Sequence, residues 1–141
     1  MNYSPLDTIV ATATPPGLGG VAIVRISGSK ALSVLKMAVK NGQKKVWQAR
    51  RMYYCEIIDE YGQTIDKALA VYMPSPHSYT GEDVAEIHCH GGSVLAGVIV
   101  DICLHYGARL AQPGEFTYRA FMAGKLDLAE GESVLSLIEA K

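Results

Sequence analysis

The chain has 141 residues, of which 49% are hydrophobic and 19% are charged, and its formal net charge is −1. This composition indicates a folded globular domain rather than a disordered chain, and no apolar run is long enough for a membrane helix. The near-neutral net charge argues against a domain that binds nucleic acid over its whole surface, because such domains usually carry an excess of basic residues. Three cysteines without paired spacing and an N-terminus without a secretory pattern lead us to expect a cytoplasmic location and no membrane partner.

The first quarter of the chain alternates strand patterns with turns. Residues 7–13 and 21–27 are short and rich in β-branched side chains, which is typical of strands. Residues 14–20 contain two prolines and three glycines, a combination that ends regular structure between the two strands. A capping signal at residues 27–29 precedes leucine and valine at helical spacing, so we expect a helix over residues 31–40.

The middle of the chain predicts a hairpin followed by another strand. Residues 50–58 and 67–73 have strand patterns, and residues 59–62 are typical of the loop that joins two hairpin strands. A proline-punctuated loop over residues 74–81 follows. Residues 83–89 then predict a further strand.

The last third of the chain is mainly helical. We expect a helix over residues 93–106, ended by Gly107, a second over residues 113–123, and a third that Asp127 caps and that continues to residue 141. Strands joined by both hairpins and helices, without regular alternation, predict an α+β fold. Its sheet should be mixed, largely antiparallel, with helices packed on it.

Several partial motifs do not amount to a site. The glycines at residues 17–20 precede a strand rather than a helix, and a GxxxxGK[ST] phosphate loop is absent from the sequence. His88 and His90 share one face of a strand, but a zinc site needs further ligands that the spacing does not supply. We therefore expect no metal site, and no motif marks a catalytic nucleophile.

One stretch of the chain is locally basic. We interpret it as a solvated helix face with its following loop, and a phosphate-contacting patch remains the alternative. The basic residues are Lys36, Lys40, Lys44, Lys45, Arg50 and Arg51.

Three charged residues lie in apolar or structure-breaking sequence. Arg25 interrupts an apolar strand on the face opposite Val24, Glu86 interrupts the strand at residues 83–89, and Lys125 lies between two helices. Buried charges need partners, so Arg25 and Glu86 either pair with each other or reach a sheet edge. Alternatively, one carboxylate and two cations form a pocket for an amphoteric ligand.

Taken in order along the chain, the motifs resemble those of the N-terminal domain of the MnmE (TrmE) family of bacterial tRNA-modification GTPases. The resemblance runs from about residue 7 to residue 141 and is weak between residues 39 and 66. The matching blocks are residues 7–11, 13–17, 19–20, 25–28, 78–83, 90–92, 107–109, 113–117, 119–121 and 124–128.

The resemblance implies a fold similar to the folate-binding domain of the glycine-cleavage T-protein. It also implies that 5-formyltetrahydrofolate binds near the interface of a homodimer made by this domain. The folate contacts of the family fall on Arg25, Glu86 and Lys125, the three charges already noted.

The resemblance also implies a domain plan and partners. Residues 1–120 would form the folate-binding and dimerisation domain, residues 121–141 would begin a helical domain, and the G domain that binds GTP, Mg and K would lie elsewhere. The family acts with the flavin-dependent partner MnmG (GidA) in modifying C5 of the wobble uridine in tRNA. Without a phosphate loop, this chain alone is expected to be inactive as a GTPase.

Some positions depart from the family pattern, and other interpretations remain open. Leu18 stands where the family usually has a basic residue, which puts any anion contact of that side chain in doubt. A purely structural dimerisation domain without a ligand is the main alternative. A free-standing aminomethyltransferase-like folate enzyme is disfavoured, because such enzymes are longer and no separate catalytic acid stands out.

Overall fold

The computed structural model describes residues 7–14 and 19–125 and confirms the α+β class. Six strands and three helices make up the described part, together with a 3-10 turn, Gly42–Lys44. The strands are β1 Ile9–Thr12, β2 Val21–Ser27, β3 Tyr53–Ile58, β4 Thr64–Met73, β5 Val84–His90 and β6 Arg109–Leu110. The helices are α1 Ala31–Ala38, α2 Ser93–His105 and α3 Glu115–Met122.

The six strands form one mixed sheet in the order β3-β4-β5-β2-β1-β6. All neighbouring strands are antiparallel except β1 and β6, which pair in parallel, so the predicted largely antiparallel sheet is confirmed. The central pair, β2 and β5, runs in register from Val21 opposite His90 to Ser27 opposite Val84. This register fixes which side chains of the two strands face each other.

Helices α1 and α2 pack on one face of the sheet and form the hydrophobic core with it. Val24 and Ile26 of β2 and Ile87 of β5 are fully buried beneath Leu35 of α1 and Ile99 of α2. Alternation along each strand sends the intervening side chains to the other face. The predicted assignment of Arg25 to the face opposite Val24 is therefore confirmed.

The predicted start of α1 needs a correction. No side chain within residues 27–29 caps the helix; instead, the Thr8 hydroxyl oxygen accepts a hydrogen bond from the Lys30 backbone N–H at 2.9 Å. The helix also ends at Ala38, because Val39 pairs with Ile57 of β3 in an isolated bridge. A long-range contact and a neighbouring strand thus set both ends of α1.

Replacing Thr8 with valine is expected to lower the free energy of unfolding by about 1 kcal/mol, the usual cost of losing a side-chain oxygen at a helix start. Valine has nearly the same shape but cannot accept the hydrogen bond from Lys30. Ser29→Ala is the control, because Ser29 is exposed and forms no cap. Equal losses for the two variants in urea unfolding would contradict this assignment.

The end of α2 is confirmed as predicted. Gly107 has φ 106°, a left-handed conformation that glycine adopts without strain, and the Ala108 backbone N–H donates to the Cys103 carbonyl. No helix in the described part of the chain has the length and apolar character to cross a membrane.

Two predictions fall on residues outside the described part. These are the departure at Leu18 and the last helix from Asp127 to residue 141. The division of the chain at residue 120 stays a prediction; α3 continues across that position to Met122.

Candidate functional site

Two of the three predicted site residues meet in the centre of the sheet. Arg25 of β2 lies directly opposite Glu86 of β5, and the Arg25 Nε donates to the Glu86 Oε2 at 2.9 Å. Their side chains retain 21% and 13% of their exposure, so the pair is shielded from water but reachable. The direct ion pair between Arg25 and Glu86, which was one of the arrangements considered from the sequence, is therefore present.

Two aromatic rings cover the Arg25 guanidinium. Its carbon lies 4.8 Å from the ring centre of Tyr79, in the loop before β5, and 5.6 Å from that of Phe116 in α3. The Tyr79 hydroxyl is 2.8 Å from the Thr117 Oγ1, which joins the loop to the helix. The two rings, together with the hydrogen bond that the Arg25 Nε donates to Glu86, hold the guanidinium in one orientation.

The predicted pair of histidines divides between two carboxylates. His88 Nε2 lies 2.9 Å from Glu86 Oε1, so both oxygens of Glu86 have a partner. His90 Nδ1 lies 2.7 Å from an oxygen of Asp66, and Cys89 points to the buried opposite face. Within residues 7–14 and 19–125 no group of three or more potential ligands is placed to hold a metal ion.

Lys125, the third predicted site residue, is not part of this ion pair and lies just after α3. Its side chain is exposed, and its backbone N–H donates to the Ala120 carbonyl at 2.8 Å. A side chain at Gly81 would meet the Lys125 Cε at 3.6 Å, so Lys125 lies against the loop that also carries Tyr79. Both that loop and α3, which carries Phe116 and Ala120, therefore lie between Lys125 and the Arg25–Glu86 pair.

A buried charge network beside this pair was not predicted. Glu115 is fully buried and accepts two hydrogen bonds from Arg109, at 3.1 and 2.8 Å, and one from Arg119 at 3.4 Å. Arg119 also donates to Glu82 at 2.9 Å, and Arg109 to Asp7 at 2.9 Å. The i,i+4 spacing of Glu115 and Arg119 was the one signal in the sequence that could have indicated it.

This network ties α3 to the sheet next to a cavity of about 330 Å³. Thr80, Glu82, Tyr118 and Met122 are among its lining residues. The Ser27 hydroxyl, two residues after Arg25, donates to Glu82 at 2.8 Å. The cavity therefore lies between the loop before β5 and α3, the two elements that also cover Arg25.

The network makes stability depend on pH. Burial alone would raise the pKa of Glu115, but hydrogen bonds from Arg109 and from the Gln112 backbone N–H outweigh it and lower that pKa below 4.5. A carboxyl group with a lowered pKa in the folded state stabilises above its unfolded pKa and loses that contribution as pH falls through the folded value.

We expect the difference in unfolding free energy between the wild-type protein and Glu115→Gln to be largest near pH 7. It should shrink steadily below about pH 4.5, because the amide resembles the protonated acid. Urea unfolding of both proteins at a series of pH values measures this difference. A difference that stays constant down to pH 3 would contradict the lowered pKa.

Comparison with known proteins identifies the family. A family model described as "GTP-binding protein TrmE N-terminus" matches residues 8–125. The chain is 51% identical over 137 residues to the tRNA modification GTPase MnmE of Fervidobacterium nodosum, covering 96% of this chain and 30% of that protein. It is 48% identical over 141 residues to that of Nitratiruptor, covering all of this chain and 31% of that protein.

The similarity spans the candidate site as well as the core. Arg25, Glu86 and Lys125 all lie within the residues that the family model matches, and so do Glu115 and Arg119. The chain spans about 30% of the length of the curated relatives it matches. With a mixed sheet, a charged pair at its centre and this match over most of its length, the chain belongs to the family of TrmE N-terminal domains.

Proposed function

We propose that this chain is the folate-binding and homodimerising module of a tRNA-modification GTPase, with 5-formyltetrahydrofolate as its ligand. The observation that carries the proposal is the shielded Arg25–Glu86 pair, held at 2.9 Å beneath the rings of Tyr79 and Phe116. The names of the relatives support the connection with tRNA modification.

The chemistry of these groups fits a reduced folate. The Glu86 carboxylate is an acceptor for the two N–H groups at the aminopyrimidine edge of a pterin. Tyr79 and Phe116 supply flat apolar surface of the kind that a pterin ring requires, and Arg25 and Lys125 supply positive charge for the glutamate carboxylates. Bound folate would supply a one-carbon unit, and these residues would bind and orient it.

Both oxygens of Glu86 are engaged, so ligand binding must rearrange part of the pair. The Oε1 oxygen faces His88 and the Oε2 oxygen faces Arg25, each at 2.9 Å. A pterin that takes over either position frees one partner to turn toward the ligand. The half-buried setting makes such an exchange favourable only when the ligand replaces the lost hydrogen bond.

A second copy of this chain is the proposed partner of the open sheet face. Val21 is 55% exposed and Leu69 is 43% exposed on the face that α1 and α2 leave uncovered. They lie opposite His90 and His88 in the register of β5, next to the Arg25–Glu86 pair. Burying these apolar side chains against the same surface of a second copy would give a symmetric dimer adjoining the ligand.

A purely structural role is the second candidate function. The ion pair between Arg25 and Glu86 supports it, because two opposite charges on neighbouring strands satisfy each other without a ligand. In that case the domain would dimerise with an empty pocket, and losing the pair would change stability alone.

The activity of a whole protein of this family is also part of the proposal. GTP, Mg and K would bind in a G domain, since the chain has no GxxxxGK[ST] motif. The flavin-dependent protein MnmG (GidA) and tRNA would be partners in the cytoplasm, where the C5 position of the wobble uridine is modified.

Calorimetric titration with 5-formyltetrahydrofolate tests the proposal. We expect saturable binding at one site per subunit, with a dissociation constant of about 1 μM or tighter, equivalent to at least about 8 kcal/mol. The same sample should sediment with the mass of two chains. If the folded dimer gives no heat on titration and binds no other folate, the folate proposal is wrong and the purely structural role is favoured.

A further inference from the structure

A basic cavity of about 380 Å³ lies at the β3 edge of the sheet, away from the Arg25–Glu86 pair. Lys40 and Lys45 reach it from the segment after α1, and Lys67 reaches it from β4. Tyr54 and Cys55 of β3 complete much of its wall. From the sequence we interpreted the two lysines after α1 as part of a solvated face. In the structure they lie with Lys67 around one concave surface.

The segment that carries Lys40 and Lys45 is held firmly in place. The Lys40 backbone N–H donates to the Glu56 carbonyl at 2.9 Å, and the Trp47 indole N–H donates to the Gly42 carbonyl at 3.1 Å. A side chain at Gly42 would lie 2.2 Å from the Lys36 carbonyl oxygen, so only glycine permits this close approach. The lysines are therefore presented on a rigid frame, which lowers the entropic cost of binding an anion.

The cavity has an excess of positive charge. Glu56 is its one acidic lining residue, lying 3.8 Å from the Lys40 ammonium and opposite Lys67 in the strand register. Burial raises the pKa of the Cys55 thiol to about 11, although the nearby Lys45 ammonium lowers it somewhat, so the thiol stays neutral at pH 7. Three cations against one carboxylate favour an anionic ligand, although the whole chain has a net charge of −1.

An exposed aromatic ring lies at the rim of this cavity. Tyr54 is 69% exposed, so its ring face is accessible to a stacking partner beside the lysines. Tyr54 and Lys67 also line a second cavity, of about 260 Å³, together with Val21 and Leu69. The basic cavity therefore adjoins the surface proposed for the dimer, and Tyr54 and Lys67 line both cavities.

We propose that this basic cavity binds a phosphate group of a single-stranded RNA segment, with Tyr54 stacking on a neighbouring base. Lysines that hold a phosphate beside an exposed aromatic ring are the combination by which proteins bind unpaired nucleic acid. The proposal rests on the proposed function in one respect, the choice of RNA as the anion. The phosphate of a free nucleotide shares the same chemistry, and the experiment separates the two sources.

Fluorescence anisotropy of an unmodified tRNA transcript and of its isolated anticodon stem-loop, each titrated with the wild-type protein and its variants, tests the proposal. The variant Lys45→Gln/Lys67→Gln is expected to bind either RNA about 10-fold more weakly at low salt, with a salt slope reduced by about 1.4. The double variant Lys30→Gln/Lys44→Gln removes the same charge outside the cavity and should change affinity less than about 2-fold. Equal weakening by both double variants would mean a diffuse charge effect and would overturn the site.

The ring has its own matched pair of variants. Tyr54→Ala is expected to weaken RNA binding about 10-fold, whereas Tyr54→Phe keeps the stacking surface and should bind like the wild-type protein. Circular dichroism and sedimentation of each variant accompany the titrations. If Tyr54→Ala changes the mass of the assembly and leaves RNA affinity unchanged, a second copy covers this ring and the RNA proposal is wrong.

Uridine monophosphate and inorganic phosphate serve as competitors. The proposal expects neither to displace the RNA at micromolar concentration; displacement by the mononucleotide would assign the cavity to free nucleotides instead. Titration of the same lysine variant with 5-formyltetrahydrofolate keeps the two proposals apart. If the wild-type protein does not bind folate, the RNA affinities of the variants can still be compared. If the lysine variant binds RNA as tightly as the wild-type protein, the assignment of the cavity is wrong and the folate proposal is unaffected.

Discussion

Replacing Glu115 with alanine is expected to lower the free energy of unfolding by about 3–5 kcal/mol, the cost of removing one partner from a buried ion pair. Glu115 has no exposed surface and accepts hydrogen bonds from both Arg109 and Arg119. Without it, the 6%-exposed Arg119 guanidinium keeps Glu82 as a carboxylate partner but loses its second one. The helix α3 would also lose its charged connection to β6.

Guanidinium unfolding at pH 7 measures this loss, and Glu56→Ala is the control. Glu56 also pairs with a cation, the Lys40 ammonium at 3.8 Å, but at an exposed position, where an ion pair contributes about 0–1 kcal/mol. If Glu115→Ala costs no more than Glu56→Ala, the buried network does not stabilise the fold as described.

The second large effect concerns the candidate ligand site. Glu86→Gln is expected to weaken binding of 5-formyltetrahydrofolate about 100-fold, equivalent to about 2.7 kcal/mol. This lies within the range of about 2–5 kcal/mol that truncating one side of a shielded, hydrogen-bonded charge pair costs. Glutamine keeps the size of the side chain but cannot accept two N–H groups as a carboxylate does. Arg25→Gln should weaken binding similarly, since it removes the cation between the Tyr79 and Phe116 rings.

Glu60→Gln is the matched control for Glu86→Gln. Glu60 is exposed in the turn between β3 and β4, so the same change of charge should leave folate affinity within about 2-fold of the wild-type value. Equal weakening by the two variants would indicate a general effect of net charge. Unchanged affinity in Glu86→Gln would remove this carboxylate from the site.

Local pattern predicted most of the fold. β-Branched stretches located β1 and β2, alternation placed Arg25 away from the core, and glycine at residue 107 marked the end of α2. These features depend on residues that are near each other in sequence. The start of α1 was missed because its hydrogen bond comes from Thr8, 22 residues earlier.

The site was predicted only in part, for a related reason. Charges in apolar sequence indicated Arg25 and Glu86, but their direct contact depends on the register between β2 and β5, 61 residues apart. The rings of Tyr79 and Phe116 gave no comparable signal, since aromatic residues occur in any core. Lys125 came from the family resemblance and its unusual position, and the described residues place it against the neighbouring loop.

The most direct test of the account is the thermal stability of wild-type and Glu86→Gln proteins, each with and without saturating 5-formyltetrahydrofolate. At a ligand concentration of 100 times the dissociation constant, binding should stabilise the wild-type protein by about 2.7 kcal/mol and raise its Tm by several degrees. We expect this shift in the wild-type protein and almost none in Glu86→Gln at the same ligand concentration. No shift in a folded wild-type sample, or equal shifts in both proteins, would contradict it.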